Sequence, residues 1–163
     1  SNLLTALLAS SVIRMFEGTI EQMVALATLM PIVAGVGGNA GSQTMAVTVR
    51  ALATNQITAS NTWRTIVREI RVAFLNGATV AVVIGIGVAL VFSNPALGGV
   101  IAAAMLTNIV TAGVAGAAIP LIFDRYDADP AVASSIFVTM ITDSMGFFAF
   151  LGLATLAGLT AGA

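Results

Sequence analysis

From Ile136 to Leu153 the chain reads IFVTMITDSMGFFAFLGL, an apolar run long enough to sit in a membrane. It holds one carboxylate, Asp143, near its middle. No basic residue lies in this run, no Lys or His occurs anywhere in the chain, and no Arg falls in the other apolar cores. An acid at membrane depth without a basic partner is costly, and such residues mark ion paths, proton relays and counter-ion sites. The cheapest partner for Asp143 is a cation that comes and goes.

The rest of the composition narrows the choice. Of 163 residues, 58% are hydrophobic and 8% charged, whereas soluble domains carry about 25% charged residues. This is the make-up of a membrane domain with little mass outside the bilayer. A net charge of −1 provides no basic surface for nucleic acid. With no Cys, disulfides, thiolate metal sites and Cys nucleophiles are excluded. Without His as well, the remaining metal donors are oxygens, which suit hard cations such as Mg²⁺ and Ca²⁺. No H-E-x-x-H or G-x-S-x-G motif is present, and only Asp143 is deep enough for intramembrane aspartyl chemistry, so the chain is not expected to be an enzyme.

Five apolar segments follow, at about residues 2–16, 19–53, 63–92, 96–123 and 130–156. The first has no basic n-region and reads as the remainder of a first span, with larger soluble parts expected before it. The second would be ~50 Å long as one helix, more than the ~30 Å hydrocarbon core requires. Its middle holds Pro31, Gly35, Gly37, Gly38 and Gly41, which predicts a kink or local unwinding there. The third opens with Trp63 at an interface and with Arg64, Arg68 and Arg71 on one helical face, as in a headgroup anchor. Asp129-Pro130 reads as an N-cap followed by Pro at the first helical position. The GLTAGA tail is expected to fray.

Five spans put the termini on opposite sides. Arg50, Arg64, Arg68 and Arg71 flank one loop, which the positive-inside rule makes cytoplasmic. The N-terminus is then cytoplasmic and the C-terminus external, in a multi-pass protein of the cell inner membrane.

At ~100° per residue, Ser135, Thr139, Thr142, Asp143 and Gly146 share one sector of the last helix, and Phe137, Ile141 and Phe148 lie opposite. Asp143 falls ~20 Å along the helix from Pro130, near mid-bilayer. Hydroxyls alone would read as glue between helices; with a midplane carboxylate beside them they fit the wall of a pore or cavity. In the second segment, Asn39 and Gln43 share a face and Gly37 and Gly41 form a G-x-x-x-G. Close helix packing braced by the amides explains them as well as an ion-facing role does. Asp129 either caps its helix or sits at the mouth of the polar face.

Two blocks carry a family resemblance. PIVAGVGGNAGSQT (Pro31 to Thr44) with VTVRALAT (Val47 to Thr54) resembles the second-helix signature of MgtE-type magnesium channels. DPAVASSIFVTMITDSMGFFAFLGLAT (Asp129 to Thr155) resembles their fifth helix. The resemblance covers essentially the whole chain and concerns the transmembrane domain alone. It implies a homodimer of all-α subunits, each with five transmembrane helices, and a pore at the dimer axis lined by helices two and five. It implies that Asp143 is the central magnesium-binding residue. Thr139 and Ser135 would line the route to it, Asp129 would lie near the cytoplasmic mouth, and Asn39 and Gln43 near the pore or its bracing. It also implies cytoplasmic magnesium-sensing and CBS domains elsewhere in a full-length chain.

The expected function is therefore a magnesium-selective pore in a lipid bilayer, passing hydrated Mg²⁺ inward down its electrochemical gradient. Two rivals remain: a proton- or sodium-coupled carrier using Asp143, and a membrane scaffold in which Asp143 only joins subunits.

Overall fold

The computed structural model describes residues 2–158, apart from the side chain of Ala133. Among them are six helices and no strand: α1 (Asn2–Met15), α2 (Glu17–Gln22), α3 (Ala25–Ala53), α4 (Thr62–Val91), α5 (Pro95–Arg125) and α6 (Pro130–Leu156). Residues 159–163, most of the tail expected to fray, lie outside the described residues.

Local chemistry sets the ends of the long helices. Asn94 caps α5, its side chain accepting from Leu97 N at 3.1 Å, and Pro95 follows at the first helical position. Asp129 and Pro130 repeat the device at α6, where Asp129 Oδ1 accepts from Ala131 N at 2.9 Å. At the other end, α3, α4 and α5 stop in the same way. Asn55, Ser93 and Asp127 adopt φ of 56°, 49° and 54°. The residue after each turns its N–H back onto the last helical turn: Gln56 to Ala51 O, Asn94 to Ala89 O and Ala128 to Phe123 O. These are Schellman closures, which use up carbonyls a helix end leaves open.

The expected disruption of the second segment falls elsewhere. The helix breaks at Met23–Val24, so residues 19–53 divide between α2 and α3. From Ala25 on it is continuous through Pro31 and the glycines. Pro31 stands early in α3 and lacks one helical N–H, toward Ala27 O. The glycines close onto neighbours. A methyl added at Gly41 would lie 2.7 Å from Val138 Cγ1, and one added at Gly116 of α5 2.7 Å from Gly41 O.

Helix α5 is central, packing on α4, α3 and α6. It is buried along most of its length, including Leu97, Ile101, Ala104, Met105 and Ala112. Its partner α4 buries a strip four residues apart: Glu69, Ala73, Gly77, Ala81 and Gly85. Small residues let the backbones approach: a methyl at Gly85 would stand 2.9 Å from Gly98 O. Past its opening Arg face, and above all from Val80 on, the rest of α4 is apolar and much of it faces out, with Leu75, Val82, Val83, Leu90 and Val91 all exposed. A helix apolar on every side belongs in a large core or a membrane. Three helices, α4, α5 and α6, are long and apolar enough to cross one. At 29 residues α3 has the length, but its Gly, Asn, Ser and Gln make it less apolar.

Helix α1 runs parallel to α6. Asn2 and Thr5 lie beside Ser135 and Thr139, and at the far end the Phe16 and Phe148 rings meet edge to face at 5.9 Å. Thr19 and Thr155 hydrogen-bond there at 3.0 Å. The opposite end gathers the α3–α4 and α5–α6 loops, where Ile57 and Thr58 share a cleft with Arg125 and Tyr126.

Candidate cation site

Asp143 comes from the middle of α6 and is half-buried. It borders a groove of about 400 Å³ with Ser135, Ile136 and Thr139 of α6 and Asn2, Thr5 and Ala6 of α1. The wall is thus hydroxyl, amide and carboxylate oxygen, with Ala6 and Ile136 as its apolar part. Thr139 Oγ1 donates to Ser135 O at 2.9 Å, so its proton is taken by the helix backbone. Its lone pairs remain for a cation or a cation's water.

The polar sector of α6 divides in two. Thr142 and Gly146 are buried and turn inward, Thr142 donating to Thr139 O at 3.2 Å. Ser135 and Thr139 are exposed and turn outward, and Asp143 stands at the border. Asn39 and Gln43 of α3 are exposed as well, outside the α1–α6 groove. Asp129 is exposed and serves as the α6 cap. The structure therefore gathers Ser135, Thr139 and Asp143, while Asn39, Gln43 and Asp129 stand apart from that groove.

Among the described residues the one ion pair joins Arg68 to Glu69, and Asp143 has no basic neighbour. Nor do three carboxylates converge anywhere among them. A single chain offers one charge and several neutral oxygens. That set fits a hard cation that keeps much of its water and does not fit a dry cage.

Two residues with weight in the structure escaped the sequence reading. Glu69 is buried on the α4 strip, 10% exposed at its side chain, with Arg68 Nη2 at 3.0 Å from Oε1. The signal was its place in the four-residue repeat with Ala73 and Gly77, one step off the Arg face. Asn108, fully buried on α5, carries no sequence mark beyond being an amide in an apolar helix.

Long helices with largely apolar outer faces, one of which carries a carboxylate and hydroxyls at an oxygen-lined groove halfway along, define a helical protein of membrane type. Residues 30–153 match the family model MgtE, described as a divalent cation transporter, and the chain belongs to that family. It is 34% identical over 153 residues to the magnesium transporter MgtE of Bacillus subtilis (strain 168), covering 94% of this chain and 34% of the relative. Identity to the magnesium transporter MgtE of Enterococcus faecalis is 35% over 147 residues, covering 90% and 32%. For that of Thermus thermophilus it is 30% over 154 residues, covering 94% and 34%. The chain spans about a third of the length of these relatives.

Proposed function

We propose that this chain is the pore domain of a magnesium-selective channel or transporter. It works as a homodimer whose pore runs along the dimer axis between α3 and α6 of both subunits. The observation that carries this is the outward exposure of Asn39 and Gln43 on α3 and of Ser135 and Thr139, next to Asp143, on α6. Asp143 lies ~20 Å along α6 from Pro130, and Asn39 ~21 Å along α3 from Ala25. At that depth a polar group facing lipid costs several kcal/mol. Such a surface calls for water or a second polar surface against it, and a twofold copy of itself supplies both. The relatives, each named a magnesium transporter, match α3 and α6 together.

Five spans follow if α1 crosses with its shorter apolar run and α2 and α3 cross together. Five of the six Arg, at positions 50, 64, 68, 71 and 125, gather at the end that holds the α3–α4 and α5–α6 loops. That end is cytoplasmic by the positive-inside rule. Because α1 is parallel to α6, the N-terminal end of α1 lies on the same side, and α6 finishes outside.

Mg²⁺ dehydrates reluctantly and usually keeps several waters. Two Asp143 carboxylates, one per subunit, neutralise the ion and hold its water shell. Thr139, Ser135, Asn39 and Gln43 accept further hydrogen bonds from that shell, and Asp129 lies toward the cytoplasmic mouth. Inward movement requires no coupled ion. A potential of 100 mV, inside negative, contributes ~2.3 kcal/mol per charge, hence ~4.6 kcal/mol for a divalent ion.

The test is Mg²⁺ flux into proteoliposomes with an inside-negative potential and no pH or Na⁺ gradient. The chain is expected to pass Mg²⁺ and Asp143→Ala to pass none while remaining a folded dimer. Flux that persists in the variant would show that the carboxylate is not the filter. Flux that requires a proton or Na⁺ gradient would replace the channel by a coupled carrier.

A further inference from the structure

Near the middle of α5, Asn108 is fully enclosed where α3, α5 and α6 meet. Its Nδ2 donates to Val33 O on α3 at 3.0 Å. On either side a glycine makes room for it. A methyl added at Gly37 of α3 would overlap the amide, standing 2.7 Å from Cγ. One added at Gly146 of α6 would stand 2.6 Å from Nδ2. The amide is therefore a key in a slot cut from both helices.

The place of the slot matters more than the packing. Gly146 comes three residues after Asp143, and Gly37 two before Asn39. Both helices that carry the polar surface are thus gauged against α5 at its level. Stability does not explain the choice of an amide. Oδ1 has no hydrogen-bond partner among the described residues, and an orphaned buried acceptor costs free energy that an apolar side chain filling the slot would not. A directional bond fixes register where apolar contact alone would let helices slide, as single buried amides do in coiled coils.

We infer that Asn108 is a positioning residue that sets the spacing of α3 and α6, and through it the width of the ion path beside Asp143. This rests on the pore reading above for its functional consequence.

Two variants separate register from packing. Asn108→Val fills the slot with an apolar side chain only slightly larger and removes the bond to Val33. The pair Asn108→Ala with Gly37→Ala moves a methyl into the emptied slot, restoring contact without the bond. The chain has no Cys. Spin labels on cysteines introduced at exposed Val47 of α3 and Val132 of α6, with labelled chains diluted among unlabelled ones, therefore report the helix separation alone. Mg²⁺ affinity by calorimetry and the ratio of Mg²⁺ to Mn²⁺ flux report the path.

Both variants are expected to retain the wild-type melting temperature, to show a shifted or broadened label distance and to bind Mg²⁺ about tenfold more weakly, equivalent to ~1.4 kcal/mol. The flux ratio should fall with the affinity. If one variant does not fold, the other decides. Unchanged label distances in a folded variant overturn the inference, as do moved helices with wild-type affinity and selectivity. A wild-type chain that neither binds nor passes Mg²⁺ sinks the pore reading instead, and the label distances still decide whether Asn108 spaces the helices.

Discussion

Asp143 and Glu69 are both acids in long helices, yet their surroundings give them opposite work. Glu69 is closed against α5 and holds Arg68 through two hydrogen bonds from one guanidinium, at 3.0 and 3.2 Å. Asp143 borders a polar groove and holds no Arg. A paired acid is satisfied by its own chain, whereas one that borders a polar groove without a basic partner is the kind that can take a mobile ion. Asp143→Asn should therefore leave the fold intact and sharply weaken divalent-cation binding by calorimetry; undiminished binding would move the site elsewhere. Glu69 answers to stability instead. Arg68→Ala leaves a mostly buried carboxylate unpaired, and its loss is expected to cost about 1 kcal/mol in a detergent melt, small because Arg68 is itself largely exposed. In a Glu69→Gln background that cost should vanish; an equal cost in both backgrounds would show that Arg68 acts through packing of its stem. Asp143 was legible in the sequence because one charge in an apolar run stands out. Glu69 was not, because a neighbouring Arg face hides it until the four-residue strip is traced.

Helix ends show how much of an element is local. The caps at Asn94 and Asp129 are written in the Asn-Pro and Asp-Pro pairs, and the structure has both. The break at Met23–Val24 has no such mark, since it carries neither Gly nor Pro. The glycine run of α3 suggested weakness by propensity. What decides its state is non-local: Asn108, Val138 and Thr44 stand where side chains at Gly37, Gly41 and Gly116 would be. Glycine there permits close approach, and the helix stays intact because its neighbours hold it. The Schellman turn at Ser93 is the reverse case, an ordinary residue kept at φ 49°. For an L-residue that conformation costs roughly 1–2 kcal/mol, part of which glycine returns as chain entropy. Ser93→Gly should then raise stability by about 0.5–1 kcal/mol, measured as the shift of the melting transition. A lower melting temperature would show that the Ser93 side chain has a compensating role.

For the whole molecule, the two kinds of outer surface differ in what they can face. Helix α4 presents Val82, Val83, Leu90 and Val91, which hydrocarbon satisfies. The α3 and α6 faces present Asn39, Gln43, Ser135 and Thr139, which hydrocarbon does not. If the second surface is closed by a twofold copy, positions near the axis must approach their own counterparts, because a residue on a twofold interface meets its own equivalent region. The absence of Cys makes this directly readable. A single cysteine at Gln43 should form a disulfide-linked dimer under mild oxidation in the membrane, whereas one at Val83 should leave the chain monomeric on a denaturing gel. Mg²⁺ in the millimolar range should change the rate at position 43, since the ion would sit between the same two faces, and should not change it at position 83. Equal crosslinking at both positions would point to random collision. Crosslinking at Val83 alone would place the dimer contact on α4 and leave the polar face of α3 and α6 to line a path within one subunit.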